Sequence, residues 1–116
     1  MHEYGLAQSI LDVVVTRAGA RRVSALQVRA GALQRIDEPT MDLAFAAVAR
    51  GTVAEGARVE LEVVPVTLTC RSCGAVTESP DPYATCGRCD GTDVDAVGGD
   101  ELTLVSLTLA TDSAPV

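Results

Sequence analysis

The sequence predicts an α+β fold: two helices packed against a small β-sheet of about three strands, with a cysteine-rich module inserted before the last strand. Three observations carry this reading. Apolar residues recur at helical spacing in two segments. They alternate with polar residues in three others, and they nearly vanish around two Cys-x-x-Cys pairs.

The first helix is expected over residues 3 to about 18. Leu6, Ile10, Val13 and Val14 fall on one stripe, widened by Ala7, Leu11 and Ala18, and Gly19 supplies a stop. From Val23 to about Ala30 the pattern alternates, with Leu26, Val28 and Ala30 on one face and Gln27 and Arg29 on the other, which is a strand. Asp37, Glu38 and Pro39 form an acidic start with proline in the first turn, where its missing N–H costs nothing. Met41, Ala44, Phe45 and Val48 then recur at helical spacing up to Gly51.

After a turn at Gly56, Val59, Leu61 and Val63 alternate with Arg58, Glu60 and Glu62, a strand whose polar face reads as solvated. Pro65 breaks the pattern, as at a bulge or an edge. The apolar positions move to Val64, Val66 and Leu68 and lead into Cys70. A Gly/Asp-rich stretch follows Cys89 as far as Asp100, and Leu102, Leu104, Val105, Leu107 and Leu109 make the closing strand. Residues 1–69 with 92–116 are thus expected to form the α/β domain, and residues 70–91 a separate module.

A length of 116 residues suits one compact domain or a small core with a stapled appendage. Tyr4, Phe45 and Tyr83 are the only aromatics, so aliphatic side chains must build the core. The formal charge of −7, from 9 basic and 16 acidic residues, argues against a nucleic-acid binder, which needs a basic stripe to displace counterions from phosphates. The opening Met-His-Glu-Tyr-Gly does not read as a secretory leader, and no apolar run approaches the roughly 20 residues that span a bilayer. A cytoplasmic protein is expected.

Between Cys70 and Gly91 the apolar residues other than cysteine are Ala75, Val76, Tyr83 and Ala84. That burial cannot offset a backbone entropy of about 1–2 kcal/mol per residue. Cys70-x-x-Cys73 and Cys86-x-x-Cys89 can, because each short loop directs two thiolates to one side and two such knuckles complete a tetrahedron around one zinc ion. Gly74 and Gly91 follow the pairs, where tight turns let backbone N–H groups face the sulfurs. Four protein ligands leave no open position, so this zinc-ribbon-like four-cysteine site is expected to be structural. The competing reading, a redox dithiol, is disfavoured by two pairs joined by so polar a loop.

His2 is the single histidine. Most lone histidines are surface or structural groups, but position 2 is special. The Met1 amine, the His2 peptide nitrogen and its imidazole can close fused chelate rings on one divalent ion, with Glu3 as a further donor. Such nitrogen-rich coordination suits Ni(II) or Cu(II), and donor chemistry alone does not choose between them. Its donors must be deprotonated, so metal affinity is expected to fall on acidification from about pH 8 to 6.

Met1-His2-Glu3 ahead of an amphipathic helix resembles the HypA/HybF hydrogenase-maturation family. So do the strand running into Gly31-Ala32, Gly51-Thr52-Val53-Ala54-Glu55-Gly56 before the next strand, and the paired Cys-x-x-Cys motif, over residues 1 to about 110. The resemblance implies a nickel metallochaperone that binds Ni(II) and passes it to an apo-enzyme. His2 would then be an essential ligand with the Met1 amine and Glu3 beside it. Asp37 matches an acidic residue near the family's nickel site, with Glu38 an adjacent alternative. Cys70, Cys73, Cys86 and Cys89 match the zinc cysteines. The histidines that some relatives place beside those cysteines are missing here, which counts against pH sensing by the zinc site. Implied partners are the GTPase HypB and the apo-hydrogenase large subunit or, in some organisms, urease accessory proteins. The main alternative is a zinc-ribbon interaction module with no nickel role. Catalysis is not expected: there is no Ser/His/Asp arrangement, no phosphate loop and no second histidine to act as base.

Overall fold

A computed structural model describes residues 2–110. In chain order the elements are α1 (His2–Ala18), β1 (Val23–Gly31), a 3-10 turn (Ala32–Gln34), α2 (Glu38–Val48), β2 (Arg58–Val64), β3 (Val66–Cys70), β4 (Val76–Ser79), β5 (Val94–Val97) and β6 (Leu102–Leu109). Two helices and two three-stranded sheets make an α+β protein. No described helix is long and apolar enough to cross a membrane.

The chain forms two compact units. The first takes residues 2–28, 36–62 and 103–110 of the described chain and contains both helices, which pack on each other. Its core comes from Ala7, Ile10, Leu11, Val14 and Ala18 of α1, Met41, Ala44 and Phe45 of α2, Val23, Leu26 and Val28 of β1, and Val59 of β2. Ala7, Ile10, Leu11, Val14 and Ala18 of the expected α1 stripe are buried, whereas Leu6 is half-buried and Val13, seven residues further on and on the same side of the helix, is 40% exposed, so these two lie at the edge of the stripe. The sheet order is β2-β1-β6. Ala110 N–H donates to the Arg22 carbonyl, Ser24 Oγ to that of Thr108, and Ser106 Oγ to Gln27 Oε1, so β1 and β6 run antiparallel. Central β1 keeps the predicted alternation, burying Leu26, Val28 and Ala30 and exposing Gln27 and Arg29. The edge strands are less covered: Leu61 is half-buried and Val63 exposed in β2, as is Val105 in β6.

Asp37 caps α2. Its backbone is extended and its Oδ1 accepts from Thr40 N–H at 2.8 Å, satisfying one donor that the first turn leaves open. Pro39 sits in that first turn as expected.

The second unit takes residues 29–35 and 63–102. Pro65 separates β2 from β3, and β3 becomes the centre of an antiparallel sheet of order β4-β3-β5. Leu68 lies opposite Thr77 on one side and Ala96 on the other. Val66, Leu68 and Cys70 face the unit's interior, where Ala32, Ala84 and Val94 pack with them. Gly31 is required by a close approach: a Cβ there would strike the Gly99 backbone, while Gly31 N–H donates to the Glu101 carbonyl and Leu33 N–H to that of Gly99. β4 and β5 lie in segments with no strand signal, one inside the cysteine module and one in the Gly/Asp-rich stretch beyond it.

Candidate metal centre

The four cysteines arrive by two routes with the same local geometry. Cys70 ends β3, so its sulfur is placed by the sheet, in register with Val94 of β5. Cys70 N–H then donates to the Ala75 carbonyl and Gly74 N–H to that of Cys70, closing a tight loop over Cys73. In the second pair, Cys86 N–H donates to the Gly91 carbonyl and Asp90 N–H to that of Cys86. Both knuckles turn through a left-handed residue at the same offset, Gly74 at φ 77° and Asp90 at φ 61°. Gly91, expected to supply the second tight turn and an N–H facing the sulfurs, does the latter while the turn itself falls one residue earlier. Its N–H reaches Cys89 Sγ at 3.4 Å, and a Cβ there would lie 3.1 Å from that sulfur. The turn falls on Asp90 because a short polar side chain tolerates the left-handed region better than most.

Cys70 and Cys86 are buried and Cys73 and Cys89 exposed. Ala75 and the half-buried Val94 are the apolar neighbours of the buried pair. The four sulfurs all lie within 4.8 Å of one another, and Cys70–Cys89 and Cys73–Cys86 are each 3.7 Å apart. Four Zn–S bonds of about 2.3 Å in a tetrahedron require sulfurs about 3.8 Å apart. The residues present therefore fit a tetrahedral thiolate-bound ion.

Electrostatics agree. The Cys73 N–H points at Cys70 Sγ and lowers its pKa. Those of Cys89 and Arg88 point at Cys86 Sγ and hold its pKa down at about 6. Cys89 behaves differently: the Gly91 N–H favours its thiolate, but the neighbouring sulfurs of Cys70, Cys73 and Cys86 push it up to about 12. Four thiolates this close repel one another, and a dication among them would offset that repulsion. Sequence reasoning missed one support of this centre. Arg71 bridges Asp93 at 3.1 Å and Asp95 at 2.6 Å, and its N–H donates to the Asp93 carbonyl, tying the first knuckle to β5. The ion pairs are exposed and weak in themselves, so their value is positional.

Among the described residues, this is the cluster of three or more His, Cys, Asp and Glu donors close enough for one ion. The other predicted site residues lie in the first unit. Met1 lies outside the described residues. His2 is the first residue of α1 and exposed, and Glu3 is half-buried beside it. Asp37 caps α2, and its bonds to Thr40 hold its pKa below the usual carboxylate value. Glu38 Oε2 accepts from Leu61 N–H at 2.8 Å.

Comparison with known proteins places this arrangement. The family model described as "Hydrogenase/urease nickel incorporation, metallochaperone, hypA" matches residues 1–109. Hydrogenase maturation factor HypA of Geotalea daltonii is 34% identical, over 94% of this chain and 99% of that protein. The factor of the same name from Syntrophus aciditrophicus is 37% identical, over 92% and 97%. The solution structure of the Ni metallochaperone HypA from Helicobacter pylori superposes with a TM-score of 0.56 at 24% identity, covering 94% of this chain and 97% of that one, which supports the fold. The two helices, the two sheets and the full-length match lead to one conclusion: the chain belongs to the HypA family of hydrogenase/urease nickel-incorporation metallochaperones.

Proposed function

We propose that this protein carries Ni(II) at its N-terminus and delivers it during maturation of a nickel–iron hydrogenase or of urease, while a zinc ion at Cys70, Cys73, Cys86 and Cys89 maintains its shape. Membership of the nickel-incorporation family is the observation that carries this reading. Zinc is assigned to the module of residues 70–91 and nickel to the α/β domain of residues 1–69 and 92–116. The closed thiolate set supports a structural role for zinc, because it leaves no position for a substrate.

At the N-terminus, His2 would bind nickel through its imidazole and peptide nitrogen, with the Met1 amine and Glu3 completing the set. Asp37 stands as a further carboxylate donor, although its Oδ1 already serves the α2 cap. The nickel is cargo: its ligands must hold it and then yield it, and protonation of those same donors favours release. The expected partners are the GTPase HypB and the apo-hydrogenase large subunit, or urease accessory proteins, in the cytoplasm. The protein supplies a metal and does no catalysis of its own.

Calorimetric titration of nickel into untagged protein tests this reading. Wild type should bind one nickel per chain, and His2→Ala should bind none at this site while keeping zinc and the same circular dichroism. Equal nickel binding by both proteins would overturn the reading and leave a zinc-ribbon interaction module.

A further inference from the structure

β2 is an edge strand of the first unit's sheet, and unpaired edges are templates for another strand. Because β2 alternates, Val59 and Leu61 direct their N–H groups away from β1. Both are occupied. Asp42 Oδ1 accepts from Val59 N–H at 3.1 Å, and Glu38 Oε2 from Leu61 N–H at 2.8 Å. The two carboxylates stand four residues apart on α2, one helical turn, and the two amides stand two residues apart on β2. An open groove lined by Glu38, Pro39, Asp42, Arg58, Val59 and Glu60 runs beside them.

A second copy of β2 has the backbone and charge pattern to pair with this edge once the carboxylates are removed. Antiparallel pairing centred on Glu60 sets Val59 opposite Leu61 of the other copy and Leu61 opposite Val59. Each such pair would exchange both of its backbone hydrogen bonds. The same register sets Arg58, which bridges Glu60 of its own strand at 2.9 Å, opposite Glu62 twice, two opposite-charge cross-strand pairs that compete with that exposed bridge and bring one Glu60–Glu60 contact. We infer that Glu38 and Asp42 form a clasp that closes the β2 edge against antiparallel pairing with β2 of a second copy of this chain. Amides bonded to carboxylate oxygens must give up charge-assisted bonds before they can accept a strand.

Sedimentation velocity over a range of concentrations, with amide exchange by NMR, tests the clasp. The double variant Glu38→Ala, Asp42→Ala should self-associate more tightly than wild type, on the order of tenfold for each carboxylate removed. Its Val59 and Leu61 amides should exchange faster than wild type at low concentration and regain protection at high concentration. Glu38→Gln with Asp42→Asn keeps both acceptor oxygens but loses their charge, and should associate less tightly than the double alanine variant and more tightly than wild type. In the double alanine variant, adding Arg58→Glu should weaken association, and adding Glu62→Arg as well should restore it, which a non-specific aggregate would not do. If the double variant unfolds, each single alanine variant carries the same test at its own amide. A folded alanine variant whose association equals that of wild type, or does not respond to the charge reversal, overturns the inference.

Discussion

Leu68→Ala tests whether folding of the second unit and metal binding are one event. Leu68 is 2% exposed at the centre of β3, packed with Ala32, Val66, Ala84 and Val94. It does not belong to the cysteine cluster, which shares only the half-buried Val94 with it. Truncating a buried leucine removes its transfer free energy and leaves a cavity, a cost of about 3 kcal/mol within a range of 2–5. If the metal-free unit is unfolded, this penalty is drawn from the binding free energy of zinc, because binding and folding are then coupled. At about 1.4 kcal/mol per factor of ten, zinc affinity should fall by about a hundredfold, although no ligand has changed. Competition with a chromogenic chelator measures this, and circular dichroism in the presence and absence of zinc reports the accompanying loss of structure. Zinc affinity within about threefold of wild type would refute the reasoning, since it would mean a site preformed independently of its sheet.

The α2 cap makes a second prediction. Asp37→Asn should keep the helix start and lose little thermal stability, whereas Asp37→Ala should lower the melting temperature. Because the bonds to Thr40 depress the Asp37 pKa below 3.8, its contribution is complete above that pH and is lost as pH falls through the lower folded value. Melting curves between neutral and strongly acidic pH should therefore converge for wild type and Asp37→Ala. At the second knuckle, Asp90→Gly should leave zinc in place, while Asp90→Val should cost about 1–2 kcal/mol in chemical denaturation, because a branched side chain resists the left-handed backbone at φ 61°. Nickel affinity should fall steadily as pH drops from about 8 to 6, measured by competition with a nickel-binding dye. A flat profile would exclude proton-linked release.

Much of this protein was legible in its sequence where one local signal coincided with one structural need. Asp37-Glu38-Pro39 marks a helix start because cap, first-turn charge and proline all act within a few residues. The paired Cys-x-x-Cys spacing predicted a shared site, because two short loops suffice to converge four sulfurs. β1 alternates cleanly since it is central and covered on one face. Where several elements compete for a surface, the signal weakens. On α1 the expected stripe holds at Ala7, Ile10, Leu11, Val14 and Ala18 and reaches too far at Val13, which is as apolar as Val14 yet 40% exposed. β4 and β5 were invisible. Val76–Ser79 and Val94–Val97 are short and polar, held by pairing with β3 and not by their own apolar faces. The carboxylate contacts to Val59 and Leu61 could not be foreseen either, since they depend on how α2 lies against β2.

In the proposed function one chain holds two metals by different chemistries, one for shape and one for transfer. Native mass spectrometry of untagged protein, loaded with nickel and then exposed to a nickel chelator, tests it most directly. Wild type should show one zinc and one nickel per chain before the chelator and one zinc alone afterwards, with His2→Ala showing only zinc throughout. A nickel that stays bound to His2→Ala, or that enters only by displacing zinc from the cysteines, would contradict it.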